Sequence, residues 1–212
     1  LDNIFVVNIL LGVFALALVG LWDDLIKLNS DKAGVTKSFK LLCQMIIGLA
    51  VGWGFYIYFQ KYLPTGTILQ IPLLKTTVEL GWLYPYFAML VIVASSNAVN
   101  LTDGLDGLVT GCLIIAGLAY VVMVYISGRV DYTNYLQVPY MPGSGELTIF
   151  AVGLVGACMG FLWFNGYPAD IFMGNVGASP LGGALGILAL AAKQELALFL
   201  VGAIFVAEAL SV

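Results

Sequence analysis

Seven long apolar runs, parted by short polar stretches, constrain this chain more than any single motif in it. They lie at about Ile4–Trp22, Leu41–Phe59, Leu80–Val99, Leu108–Ser127, Thr148–Phe164, Leu181–Ala192 and Leu196–Val212. A helical run of about 20 apolar residues matches the thickness of a bilayer's hydrocarbon core. Lipid offers no water to satisfy a backbone, so only helices and closed barrels cross it. Barrel-type alternation is missing, and the expected fold is all-α: a polytopic membrane helical bundle of about seven transmembrane helices. The composition agrees, with 61% hydrophobic and 9% charged residues and a mean hydropathy of +1.02. A soluble domain carries roughly a quarter charged residues. The first run reads as a true span rather than a cleaved signal peptide. The sixth is too short to cross, so its helix is expected to begin earlier, within Gly174–Pro180. Residues 1–212 read as one integral membrane domain, excerpted from a longer protein because both ends fall inside apolar runs.

Parity then sorts the loops. Loops 23–40, 97–107 and 165–180 are separated by two runs each and belong on one face; 60–79, 128–147 and 193–195 belong on the other. The first set holds Asp23, Asp24, Asp31, Asp103, Asp106 and Asp170, with Asn97, Asn100, Asn165 and Asn175. The second set reads as ordinary connection. The chemistry is therefore expected on one face. The densest basic cluster, Lys27, Lys32, Lys37 and Lys40, favours a cytoplasmic placement of that face. No Lys/Arg cluster suggests nucleic acid. Cys43, Cys112 and Cys158 lie inside apolar runs without CxxC spacing and read as packed helix residues. Histidine is absent from the chain, which excludes a His-based metal site or general base within these residues.

Three stretches concentrate polar groups. Gly20–Lys27 ends the first run with adjacent carboxylates, which point about 100° apart on a helix and so serve one ligand unequally. Lys27 stands at i+4 from Asp23 and i+3 from Asp24, so a solvated, salt-bridged helix end is one reading. A divalent cation answering the pair is the other. Lys32, Lys37 and Lys40 are either snorkelling interface anchors or phosphate donors. In Asn97–Gly107, Asp103 and Asp106 share a face of any helical turn, and Asn97 and Asn100 add donors and acceptors. In Gly160–Gly177, the rings of Trp163, Phe164, Tyr167 and Phe172 are either interfacial belt residues or a stacking surface for a flat base. Gly174 and Gly177 before a helix suit the approach of an anion.

Together, Gly20–Lys27, Asn97–Gly107 and Gly160–Gly177 resemble the phospho-N-acetylmuramoyl-pentapeptide-transferases, within the polyprenyl-phosphate N-acetylhexosamine-1-phosphate transferases. Asn100-Leu-Thr-Asp-Gly-Leu-Asp-Gly107 and Phe161-Leu-Trp-Phe-Asn165 favour that family over its sugar-transferase relatives. The resemblance implies a bacterial inner-membrane enzyme of about ten helices, commonly a homodimer, with a cytoplasmic active site. It implies transfer of phospho-MurNAc-pentapeptide from UDP-MurNAc-pentapeptide to undecaprenyl phosphate, forming lipid I and UMP with Mg²⁺. It carries over catalytic roles for Asp23 and Asp24, with Asp23 as a base or nucleophile-activating group. Lys40 matches a basic residue near the diphosphate. Asp103, Gly104, Leu105, Asp106, Asn165 and Phe172, read with Asn97, match the substrate-binding pocket, Phe172 being its stacking ring.

The chain departs from that pattern at one chemically decisive place. The family has Asp where this chain has Asn175, the principal Mg²⁺ ligand, so the implied metal set here is Asn175 with Asp24. Asn offers one neutral oxygen in place of a carboxylate, and metal affinity should fall. Ala178-Ser179-Pro180 also differs from the family's usual Ser-Leu continuation. Two other functions stay open on residues alone. One is a transferase using a UDP-N-acetylhexosamine donor. The other is a membrane transporter, whose ionisable groups should line a path at mid-membrane depth. Against transport, the only acid deep in an apolar run is Glu208, read as a buried structural partner.

Overall fold

The computed structural model describes residues 3–29, 34–71 and 76–211. Helix α1 (Ile4–Asn29) and α2 (Lys37–Tyr62) lead into a hairpin of β1 (Ile68–Ile71) and β2 (Thr76–Glu79). Then come α3 (Tyr84–Thr102), α4 (Leu108–Ser127), the short α5 (Val130–Leu136), α6 (Leu147–Asn165) and α7 (Gly174–Ala191). Two short helices follow, α8 (Leu198–Val201) and α9 (Ala203–Ser211). Six stretches are long and apolar enough to cross a membrane: Ile4–Leu28, Lys37–Tyr62, Gly81–Thr102, Leu108–Ser127, Ser144–Asn165 and Gly174–Ala191. The chain is an all-α, multi-pass membrane protein. The sixth helix does begin at Gly174, upstream of its apolar run as expected.

Two expectations about secondary structure change. The seventh run is not one helix, because the backbone at Gly202 (φ −97°, ψ 25°) breaks it into α8 and α9. A Cβ there would lie 2.9 Å from the Leu198 carbonyl oxygen, so glycine is what allows the break. The 60–79 loop is not plain connection either. Its β-branched residues pair as an antiparallel hairpin, with Ile68 opposite Glu79 and Ile71 opposite Thr76.

Helix α7 occupies the centre, packed mainly against α1 and α3 and touching α4 and α6. Lipid supplies no hydrophobic drive between helices, so close approach through small residues must hold them. A Cβ on Gly182 would stand 2.5 Å from the Ser95 carbonyl oxygen, and one on Gly186 would run into Ser95 Oγ. Both glycines therefore let α3 seat directly on α7. The outward faces carry exposed Leu11, Phe14, Ile46, Ile57, Ile115, Ile149 and Met159, the pattern of lipid-facing helix surfaces.

The face opposite the acidic loops is locked by polar contacts. Lys193 and Glu195, each 2% exposed, form an ion pair of 2.8 Å. The Tyr84 hydroxyl donates to Glu195 Oε1 at 3.4 Å, and Lys193 Nζ lies 4.7 Å from the Tyr84 ring centroid. Tyr120 and Ser127 donate to the carbonyls of Gln194 and Ala192. Loop 193–195 is thus a buried plug rather than an ordinary connection. Glu195, not Glu208, is the deeply buried acid; Glu208 is half-buried on α9.

Candidate active site

The first-set loops converge at the helix ends of one face. Near its C-terminus α1 crosses the start of α7 at Gly20, where a Cβ would strike the backbone of Asn175. That close approach brings Asp23 and Asp24, one turn further on, against the first turn of α7. Asp23 is buried, at 4% exposure. Its Oδ1 accepts the Val35 amide at 2.8 Å, and its Oδ2 accepts Lys27 Nζ at 2.9 Å and Asn175 Nδ2 at 2.7 Å. Asp24 Oδ1 accepts Asn175 Nδ2 at 2.9 Å and Oδ2 accepts the Val176 amide at 2.9 Å. The amide bond puts a carboxylate at the positive end of the α7 dipole. Lys40 Nζ, on the first turn of α2, donates to Asn175 Oδ1 at 2.8 Å and lies 3.6 Å from Asp23 Oδ2.

The α3–α4 loop closes the cluster from the other side. Asp103, just past the end of α3, accepts the Gly174 amide at 3.1 Å. Gly174 has φ +66° and Gly107, which precedes α4, has φ +72°, conformations that side chains rarely adopt. Partial burial pushes the Asp103 carboxyl above its ordinary 3.8, and the charge of Asp24 adds to it against the opposing Gly174 bond. Asp106 accepts the Ala169 amide at 3.1 Å and so ties the α6–α7 loop to the α3–α4 loop. Gly104 borders open space, and Leu105 is exposed beside it. Phe172, 70% exposed, presents a free ring face near this edge.

Two of the expected substrate-pocket residues are engaged by the protein's own groups. Asn97 turns inward, donating to Gln44 Oε1 at 2.7 Å and to the Val93 carbonyl at 2.8 Å. Asn165 is buried, taking the Thr110 hydroxyl at 2.7 Å and donating to the Ile171 carbonyl at 3.0 Å. Its carboxamide braces the loop that carries Phe172. Both arrangements have one cause: a buried amide must satisfy its own donors and acceptors, and here groups within the protein do so. Asp31 and Lys32 lie outside the described residues, and Lys37 is exposed without joining the cluster. Residue-level reading missed Gln44, Ser96, Thr110 and Ser179. The one available signal was that Gln44 follows Lys40 by four residues, on the same helix face.

Mg²⁺ favours near-octahedral oxygens at about 2.0–2.1 Å. All four oxygens of Asp23 and Asp24 already accept protein N–H groups. Lys27 and Lys40 match the two negative charges with two positive ones. A donor, Asn175 Nδ2, occupies the point between the carboxylates where a cation would bridge them. The described residues hold no group of three or more Asp, Glu, Cys or His placed around a metal. As arranged, Asn175 and Asp24 do not fit Mg²⁺.

Fold and site together define a multi-pass membrane protein whose acids, lysines and amides meet at the helix ends of one face. The model of the family described as glycosyl transferase family 4 matches residues 6–193, and the chain belongs to that family. It is 47% identical over 214 residues to the phospho-N-acetylmuramoyl-pentapeptide-transferase of Oleidesulfovibrio alaskensis, covering 100% of this chain and 59% of the relative. The protein of that name from Thermodesulfovibrio yellowstonii is 45% identical with the same coverage. The one from Methylacidiphilum infernorum is 47% identical over 96% of this chain and 56% of the relative. The chain spans about three fifths of the length of these curated relatives.

Proposed function

We propose that this chain is the membrane part, or a piece of it, that carries the active site of a phospho-N-acetylmuramoyl-pentapeptide-transferase of peptidoglycan synthesis. The observation that supports it is the joining of Asp23, Asp24, Lys40 and position 175 beside Asp103 on one helix-end face. An amphiphilic acceptor such as undecaprenyl phosphate, anchored in lipid, meets a soluble nucleotide-linked donor only at such a face.

In this reading an acceptor phosphate oxygen attacks the sugar-bearing phosphorus of UDP-MurNAc-pentapeptide. One P–O bond forms, the bond to the bridging oxygen breaks, and UMP leaves with the electron pair. Bringing two anions together is the main barrier, so positioning and positive charge supply most of the rate. Lys40 and Lys27 provide that charge locally, offset across the site by Asp23 and Asp24, so positioning carries the larger share. Asp23, held by Lys27 and the Val35 amide, orients the acceptor phosphate and takes any proton it still carries. The exposed ring of Phe172 stacks the uracil, and the open edge at Gly104 and Leu105 admits the nucleotide. The site faces the cytoplasm, the membrane is the bacterial inner membrane, and the full protein is a homodimer. Because the acid pair is satisfied without a cation, no step is assigned to Mg²⁺ with asparagine at 175.

The test is transfer of radiolabel from UDP-MurNAc-pentapeptide to undecaprenyl phosphate by the full-length parent protein, with UMP release from UDP-N-acetylglucosamine as the comparison. Lipid product from the first donor only is the expected result. Absence of any lipid product from the Asn175→Asp variant with Mg²⁺ present would overturn the assignment.

A further inference from the structure

Beneath the charged cluster, a second polar set is buried between α2, α3 and α7. Gln44 is 1% exposed and Ser96 and Ser179 are equally buried. Gln44 Nε2 donates to Ser96 Oγ at 3.3 Å, and Ser96 Oγ donates to the Ser179 carbonyl at 2.8 Å. Asn97 Nδ2 donates to Gln44 Oε1 at 2.7 Å, so both ends of the Gln44 carboxamide are engaged.

The spacing gives this set its meaning. Lys40 and Gln44 are four residues apart on α2, and Asn175 and Ser179 are four apart on α7. Each pair therefore lies on one helix face, one turn apart. The two helices are joined by two rungs: Lys40 to Asn175 at the surface, and Gln44 through Ser96 to Ser179 one turn deeper. Glycines line the helix faces around the lower rung. Gly48 and Gly52 of α2 face α3, and Gly182 and Gly186 of α7 face α3 as well. Glycine-lined faces allow close approach but offer no polar side chain of their own to select one register. A hydrogen-bonded carboxamide in a dry interior resists sliding well, because each slid register leaves buried polar groups unpaired.

We propose that Gln44 is a positioning residue that sets the axial register of α2 against α7, so that the Lys40 ammonium lands on position 175 and Asp23. Its consequence for turnover rests on the transfer reading above; the register itself does not. Gln44 touches no substrate and acts through Lys40.

Two variants in the full-length parent protein test this: Gln44→Met, which keeps the side chain's length, and Ser96→Ala, which removes one hydroxyl. Lys40 is shielded at its place between the helices, while Lys37 on the same helix is exposed. Acylation of the two lysines by an amine-reactive ester, followed by mass spectrometry, reads the register without any substrate. Either variant should raise labelling of Lys40 several-fold while Lys37 stays constant. Turnover should fall roughly tenfold or more, as for a small misplacement of a reacting group. Gln44→Met should add no further loss in a Lys40→Met background, because the two act as one unit. An unchanged Lys40 to Lys37 ratio, or a parallel rise at both lysines, would overturn the proposal. If Gln44→Met does not fold, the Ser96→Ala ratio decides. A parent protein without transfer activity would sink the functional reading and leave the labelling ratio to decide the register.

Discussion

Position 175 is where one atom changes the character of the site. Its Nδ2 bridges Asp23 and Asp24 and so does, with a hydrogen-bond donor, what a cation would do with charge. Asn175→Asp should place three carboxylates together and lower the melting temperature in EDTA. Mg²⁺ should then restore it, by about 2.7 kcal/mol at a concentration a hundred times Kd. The parent should show no such metal-dependent shift, and thermal unfolding with and without Mg²⁺ checks both. Asp103 makes a pH prediction. Its folded-state pKa is raised above 3.8, so its ionisation opposes folding; the stability tied to the neutral form is present at low pH and lost as pH rises through the folded value. Asp103→Asn keeps an oxygen for the Gly174 amide and should remove that loss, seen as a higher melting temperature at neutral pH than at pH 3.8 relative to the parent. Lys193 tests the opposite face. Lys193→Met leaves the buried Glu195 without its cation and should cost about 3–5 kcal/mol, most of it recovered by adding Glu195→Leu. Unfolding in denaturant would measure it.

At the scale of elements, the site depends on how closely helices approach. Gly20 holds α1 against the start of α7, and a larger side chain there meets the backbone of Asn175 rather than a movable side chain. Gly20→Val should therefore separate Asp23 and Asp24 from position 175, cost about 1–3 kcal/mol by overpacking, and abolish transfer. Melting temperature and product formation check the two effects separately. The elements also show which parts were legible in the residue order. Five of the six membrane helices were visible as apolar runs, and the early start of α7 followed from the shortness of its run. The break at Gly202 was not visible, because a glycine inside a helical run costs only about 1 kcal/mol and need not interrupt it. The inward turn of Asn97 was equally hidden, since its partner Gln44 lies 53 residues away.

For the whole molecule, the arrangement predicts a topology. The acidic cluster and the Lys193 plug lie on opposite faces, with α2, α4 and α7 running between them. Cysteines placed at Lys37 and Tyr135, both exposed, should be labelled from opposite sides of an intact membrane; labelling from one side would refute the placement. Apolar runs, loop parity and the three polar stretches were in the sequence by itself, because bilayer thickness and backbone hydrogen bonding leave a chain of this hydropathy few alternatives. They determined the class, six of the membrane helices and which loops gather the acids and amides. Only the tertiary structure decided which polar groups meet: that Asn175 lies between two carboxylates, that Asn97 and Asn165 brace helices and loops, and that Lys193 and Glu195 are buried together. Side-chain partners in a bundle are set by helix rotation and register, and those follow from packing between segments far apart in the chain, which no local pattern records.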